Sequence, residues 1–436
     1  MQMSNNILSN NGLDELKKRL LFLLGALAVY RLGAHIPVPG LDPNGLLKIF
    51  EGNKNIFSLF DHFSGGALSR VTIFALGVMP YISASIIIQL LSSTIPFFEK
   101  IKKEGQSGKK KLTQYTRYLT LILCTFQAIG MSKFIATSGA ALNADFYFYF
   151  ISTITLVTGT MFLMWLGEQI TEKGIGNGIS MIIFSNIITG LPSSITNTLE
   201  SVRQGDIQLL SLLSLFFILS VIIIFIVFME RAQRKITVNY AKRQQGRSMY
   251  SPQKSHLPLK INMAGVIPPI FAMSIILFPV TIAQSFGNSN NIEFLINLGY
   301  MLSPGQPLYI LTFGISIIFF CFFYTSLVFN PKETADNLKK SGAFITGIRP
   351  GKQTALYVDK IATKLTVIGA IYITLVSLLP EIIVGLWQVP FYFGGTSLLI
   401  IVVVIIDLIT QIQSYIMSHQ YENLLKNNNQ KKIYRG

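Results

Sequence analysis

The ionisable side chains of this sequence are few and poorly placed for chemistry. Asp407 is the one carboxylate that falls well inside an apolar run, while Arg31, Glu168 and Glu230 stand near the ends of such runs. A proton relay needs carboxylates or imidazoles within reach of one another, and no apolar run carries two carboxylates at helical spacing. His35, His62, His256 and His419 fall in loops or at run ends without metal-ligand spacing. Cys124 and Cys321 lie inside apolar runs and read as small buried residues, not as a disulfide or redox pair. Two glycine-rich stretches are decoys. Gly105-Gln-Ser-Gly108-Lys-Lys-Lys lacks the spacing of a phosphate-binding loop, and Gly174-Ile-Gly-Asn-Gly178 lacks a strand–turn–helix setting and reads as a flexible reversal. No enzyme activity, cofactor or metal is expected. Where polar groups would be needed for catalysis, the chain repeats Val and Ile. A ring of such residues makes no directional hydrogen bonds and can exclude water and ions when narrow.

The elements that would position such a ring are membrane spans. Half of the 436 residues are apolar, 13% are charged, and the mean hydropathy is +0.50. An aqueous core cannot hide that much apolar surface, and about 20 apolar residues cross a bilayer as a helix. Ten windows qualify: 20–36, 73–95, 118–136, 147–170, 179–195, 208–229, 263–287, 308–329, 365–385 and 391–417. The first follows Lys17, Lys18 and Arg19 but is followed by no small-residue cleavage pattern, so it reads as a retained span. With the N-terminus inside, 30 of the 36 Lys+Arg fall in inside segments and 4 in outside ones, with Arg31 and Lys133 within spans. That asymmetry predicts both termini in the cytoplasm.

Spans 2 and 7 are broken alike. Gly77-Val-Met-Pro80-Tyr-Ile82-Ser-Ala84-Ser-Ile-Ile-Ile88 and Gly265-Val-Ile-Pro268-Pro-Ile270-Phe-Ala272-Met-Ser-Ile-Ile276 match at seven of twelve positions with a constant offset of 188. They hold the same place in two sets of five spans, and an odd number inverts the second set. Paired Gly/Pro-broken spans in inverted halves point to a pathway at the interface of the halves. The expected fold is therefore an all-α polytopic membrane protein. It has ten transmembrane helices in two pseudo-symmetric inverted halves, residues 1–200 (spans 1–5) and 201–436 (spans 6–10). Ahead of span 2, residues 58–70 are short, small and too polar to span, which predicts a displaceable re-entrant element.

Loops 6–7 (Glu230 to Asn262) and 8–9 (Asn330 to Lys364) are long and basic. They carry Arg231, Arg234, Lys235, Lys242, Arg243 and Arg247, and Lys332, Lys339, Lys340, Arg349 and Lys352. Such density suits an acidic partner such as lipid headgroups, RNA phosphate or an acidic protein face. Gly347, Pro350 and Gly351 place Arg349 on a tight turn.

From about Leu13 to Leu425 the sequence resembles the bacterial SecY family, the central subunit of the general protein-conducting channel. The resemblance rests on Phe63-Ser-Gly-Gly-Ala-Leu-Ser-Arg70, Pro80-Tyr-Ile-Ser-Ala-Ser-Ile86, Gly167-Glu-Gln-Ile-Thr-Glu-Lys-Gly-Ile-Gly-Asn-Gly178, Asn239-Tyr-Ala-Lys-Arg-Gln-Gln-Gly-Arg247, the run from Phe329 to Gly342, and Pro390-Phe-Tyr-Phe-Gly-Gly-Thr-Ser-Leu-Leu-Ile400. It implies an hourglass pore between the halves. Its apolar ring would fall on Val78, Ile82, Ile179, Ile183, Ile270 and Ile400. Its plug helix would comprise Phe63, Ser64, Gly65, Gly66, Ala67, Leu68, Ser69 and Arg70. The lateral gate, between spans 2–3 and 7–8, would include Ser83, Gln89, Asn262 and Phe278. Partner docking would use Arg243, Arg247, Lys339, Lys340 and, at the turn tip, Arg349. The implied partners are the SecE and SecG membrane subunits, the SecA motor, the ribosome with its RNA, signal sequences and unfolded preproteins, in the lipid of the bacterial cytoplasmic (inner) membrane. Val78 is a size-conserving variant of the ring, and Pro269 doubles the proline of span 7. The implied activity is translocation of unfolded polypeptides, with sideways release of apolar segments and energy supplied from outside the chain. A secondary transporter would need a polar mid-membrane site beyond Asp407. A lipid-modifying enzyme would need a His/Ser/Asp or acid cluster that the sequence does not offer.

Overall fold

The computed structural model describes residues 2–42, 66–67, 70–137, 139–143, 145–205, 208–240, 244–245, 248–249, 254–276, 280, 294, 297, 299, 301–302, 306–387 and 394–433. In chain order the helices are α1 (Gln2–Gly33), α2 (Met79–Thr94), α3 (Pro96–Lys103), α4 (Gln106–Thr137), α5 (Phe146–Lys173), α6 (Gly178–Gln204) and α7 (Leu209–Arg231). They continue with α8 (Ile267–Ile276), α9 (Pro307–Val328), α10 (Pro331–Lys340), α11 (Lys352–Trp387) and α12 (Gly395–Ile433). Five strands intervene: β1 (Gln233–Tyr240), β2 (Gln244–Gln245), β3 (Ser248–Met249), β4 (Lys254–Lys260) and β5 (Ala343–Ile345).

Among the described residues, seven helices are long and apolar enough to cross a bilayer, and α2 with α3, bent by 96°, makes an eighth. Of the other two expected spans, 20–36 overlaps α1, and 263–287 includes α8 while its residues 277–279 and 281–287 lie outside the described residues. Burial runs opposite to that of a water-soluble bundle. On α7 the stripe Leu210, Phe217, Ile224 and Phe228 is 68–74% exposed, as suits a face solvated by lipid. Small and hydroxyl residues fill the contacts between helices instead. Ser152 donates to Ser132 at 2.7 Å between α5 and α4.

The chain forms two compact units: Met1–Leu199 with Val280–Ser303 and Ile400–Gly436, and Glu200–Pro279 with Pro304–Leu399. In the first, Val38, Val71, Ala75, Ala128, Met131, Ile135, Phe148 and Leu156 form a buried cluster. In the second, loops 6–7 and 8–9 build one antiparallel sheet of order β4-β1-β5. Its register pairs Ile236 with Leu257, and Val238 with both Ser255 and Ile345. Alternation places Ile236, Val238, Leu259 and Ile345 on one face, packed with Val358 of α11. The sheet had not been read from the sequence, which found only long basic loops. Beside it, α10 is well delimited: the Asn330 side chain accepts from the Lys332 and Glu333 amides, and Pro331 opens the helix.

Candidate functional site: the two broken spans

The matching breaks have a common geometry. Gly77 and Gly265 both take left-handed backbone, with φ of +58° and +63°, a conformation that costs an L-residue about 1–2 kcal/mol. A helix starts two residues later in each case, so Pro80 lies in the first turn of α2, and Pro268 and Pro269 in the first turn of α8. There the missing N–H has no intrahelical partner to lose. The breaks expected at Gly and Pro thus resolve into a glycine turn followed by a proline-led helix. The prolines begin half-helices, and the glycine turn before each one is the break. Residues 70–78 are turns except Thr72, which bridges Pro37, and part of their backbone is satisfied by the chain after α1.

The two turns are closed by different means. The Gly77 amide donates to the Phe74 carbonyl at 2.9 Å. The Phe74 ring stacks between Tyr30 and Phe162, with centroids 5.7 and 5.9 Å away. Gly33 leaves room for it, since a Cβ there would collide with the ring. Tyr30 in turn donates its hydroxyl to Asn186 on α6. At Gly265 the amide donates to the Asn262 side-chain oxygen at 2.9 Å, and Asn262 Nδ2 reaches the Gly265 carbonyl at 3.2 Å and Glu230 Oε1 at 2.6 Å.

Of the ring candidates, Val78 and Ile82 are buried one turn apart at the start of α2, joined by the Ile82 N–H to Val78 C=O bond of 3.1 Å. Ile183 is buried and Ile179 half-buried on the first turns of α6. Ile179 leans on α5, where a Cβ on Gly167 would stand 3.1 Å from it. Ile400 is buried on α12 and Ile270 half-buried on α8. Ile270 belongs to the second unit and the other five to the first.

Of the plug candidates, Gly66, Ala67 and Arg70 are described, whereas Phe63, Ser64, Gly65, Leu68 and Ser69 lie outside the described residues. Ala67 is fully buried, and its carbonyl accepts from the Thr72 amide and hydroxyl at 2.9 and 3.2 Å. Val71 is buried with φ of +43°, a strained setting for a β-branched residue. Backbone bonds from Val38 to Val71 and from Ile73 to Ile36, both 3.0 Å, fasten this point to the chain after α1.

The gate candidates divide. Gln89 donates within its own helix to Ser85 at 3.2 Å, and Ser83 is half-buried. Asn262 is buried, and Phe278 lies outside the described residues. Among the docking candidates, Lys339, Lys340 and Arg349 are exposed, Arg349 on a turn between Gly347 and Gly351, both at positive φ. Arg243 and Arg247 lie outside the described residues.

The run-end charges are partnered. Arg117 grips Glu168 with two hydrogen bonds of 3.1 and 2.5 Å between α4 and α5. Glu230 meets Asn262 and, at 3.5 Å, the Tyr372 hydroxyl. Asp407 is exposed on the side of α12. The Gly174–Gly178 stretch is held more firmly than expected. The Gly176 amide donates to Gln411 Oε1 at 2.8 Å, and the Gly178 amide to the Thr171 hydroxyl at 2.9 Å.

Long apolar helices, two spans begun from glycine turns and run-end charges held in structural pairs describe a helical membrane protein. The comparisons with known proteins narrow this. The family profile described as SecY matches residues 72–409. Protein translocase subunit SecY of Escherichia coli K12 is 58% identical over 428 residues, 97% of each chain. Its counterpart in Buchnera aphidicola of Acyrthosiphon pisum is 60% identical over 426 residues, again 97% of each. The chain belongs to the SecY family. A solved protein-conducting channel shares the fold at a TM-score of 0.66 and 18% identity, covering 93% of both chains. Sec61 from a canine ribosome-channel complex does so at 0.62 and 16%, again over 93% of both. The ten-helix layout accords with that family.

Proposed function

We propose that this chain forms the protein-conducting pore of a bacterial translocase, in the cytoplasmic membrane with both termini in the cytoplasm. The observation that carries the reading is the pair of equivalent breaks, Gly77 and Gly265, in a lining without ionisable chemistry. Residues 1–200 and 201–436 act as the two halves. Val78, Ile82, Ile179, Ile183, Ile270 and Ile400 form the seal, an aliphatic constriction that dewets when closed and slides past side chains of any type when open. Residues 63–70 plug it, pivoting about the anchored, strained Val71. An apolar signal segment enters between spans 2–3 and 7–8, past Ser83, Gln89, Asn262 and Phe278, and gains lipid contact as it leaves. The basic sheet and Arg349 dock the ribosome or the SecA motor, and SecE and SecG complete the assembly. Related solved channels sit on ribosomes, and the net charge of +16 suits an RNA surface.

The test is a photo-crosslinker at position 82 in the full chain during export of an arrested preprotein. Capture of the preprotein is expected. Capture of none, with export otherwise normal, overturns the reading.

A further inference from the structure

Three elements meet within the second unit. Glu230 ends α7 and is 8% exposed. The Ile261 amide donates to the Ala232 carbonyl at 3.2 Å, which brings the 261–266 turn beside it. α11 presses from the other side. A Cβ on Gly369 would stand 3.0 Å from the Ile261 carbonyl oxygen, and Tyr372 packs edge-on against Phe225 of α7 with centroids 5.7 Å apart.

A carboxylate is costly to bury, and a local job has to offset that cost. Here the job is legible atom by atom. An asparagine amide has one accepting and one donating end. Against Glu230 only the donating end fits, at 2.6 Å, so the carboxylate dictates which way the Asn262 amide faces. That choice aims Oδ1 at the Gly265 amide, 2.9 Å away, and closes the left-handed turn from which α8 starts. The Tyr372 hydroxyl, 3.5 Å from the same carboxylate oxygen, flanks it from α11.

We infer that Glu230 is a positioning residue of the gate: through Asn262 it holds the Gly265 turn, and with it α8 and Ile270, in the resting arrangement. The inference rests on the channel reading above. Asn262 then acts as the pin of the broken span, with its amide turned inward to the turn and to Glu230. Loss of the acceptor at position 230 unpins the turn and eases opening. Glu230→Gln keeps an acceptor for Asn262 and retains most of the hold.

The experiment uses the full chain reconstituted with the membrane subunits that co-purify with it. Amide hydrogen exchange is followed over 263–268 and, as an internal control, over 71–78, together with resting ion conductance in planar bilayers. Glu230→Ala is expected to speed exchange at 263–268 about tenfold and Glu230→Gln less than about threefold. The control segment should stay unchanged, and resting conductance should rise only in the alanine variant. Tyr372→Phe, a milder change that preserves packing, should raise exchange about twofold. Unchanged exchange in Glu230→Ala overturns the inference. Equal effects of Ala and Gln, loosening of 71–78 as well, or faster exchange without added conductance each overturn it too. Failure of position 82 to capture a preprotein overturns the channel reading separately, since the exchange result does not depend on export.

Discussion

The turns at Gly77 and Gly265 share a sequence frame, a backbone conformation and a proline-led helix that follows. They differ in the residue three positions before the glycine. Phe74 contributes a ring, wedged between Tyr30 and Phe162, and its backbone carbonyl closes the turn. Asn262 contributes an amide, which closes the turn itself and answers to Glu230. The first break is thus held in large part by non-directional dispersion over a broad aromatic contact. The second is held by three directional bonds, one of them to a carboxylate. Equivalent places in the two broken spans have been given a non-directional clamp and a directional one.

The sharpest challenge to this contrast is Phe74→Ala. Emptying a stacked site of 5% exposure should cost about 3 kcal/mol, read as an earlier midpoint in denaturant titration of the purified protein. A cost no larger than that of a polar deletion at 262 would erase the distinction. Next comes Asn262→Asp, which sets a carboxylate against Glu230 and should destabilise the second unit by about 2 kcal/mol. Glu230→Gln in the same chain should recover more than half of that, and absence of recovery would show that the two side chains do not meet. Gly77→Ala and Gly265→Ala should cost about 1–2 kcal/mol each and equally. Neither added Cβ meets an atom within 4 Å, so only the left-handed backbone is penalised. A clear inequality would mean that the turns are not equivalent. The smallest effect belongs to Tyr372→Phe. A hydroxyl at 3.5 Å contributes a weak bond, and its loss should cost about 0.5 kcal/mol or less in the same titration.

Much of this was readable from the residues. Apolar windows located the spans, and the offset of 188 aligned Gly77 with Gly265 before any geometry was known. The same alignment sets Asn262 against Phe74, and an amide three residues ahead of a turn glycine is a recognisable side-chain cap. That signal was present and passed over. Glu230 read as a run-end charge because its partners stand 32 and 142 residues away, and contacts between elements leave no spacing pattern. The sheet was hidden for a similar reason. β1 alternates Ile236 and Val238 with polar residues, but the run is dense in charge, and β5 pairs with it from about a hundred residues downstream. Hydropathy does not mark where a helix starts, so the division of each Gly/Pro break into a glycine turn and a proline-led helix was not legible.

The sheet also bears on the Glu230–Asn262 contact. Two loops distant along the chain are riveted into one plate through β1. That plate is continuous with both sides of the Glu230–Asn262 contact: β1 begins at Gln233, three residues after Glu230, and β4 ends at Lys260, two residues before Asn262. The pairing of β1 with β4 therefore carries both partners of the Glu230–Asn262 bond on one hydrogen-bonded support, which fixes the end of α7 beside the turn that precedes α8.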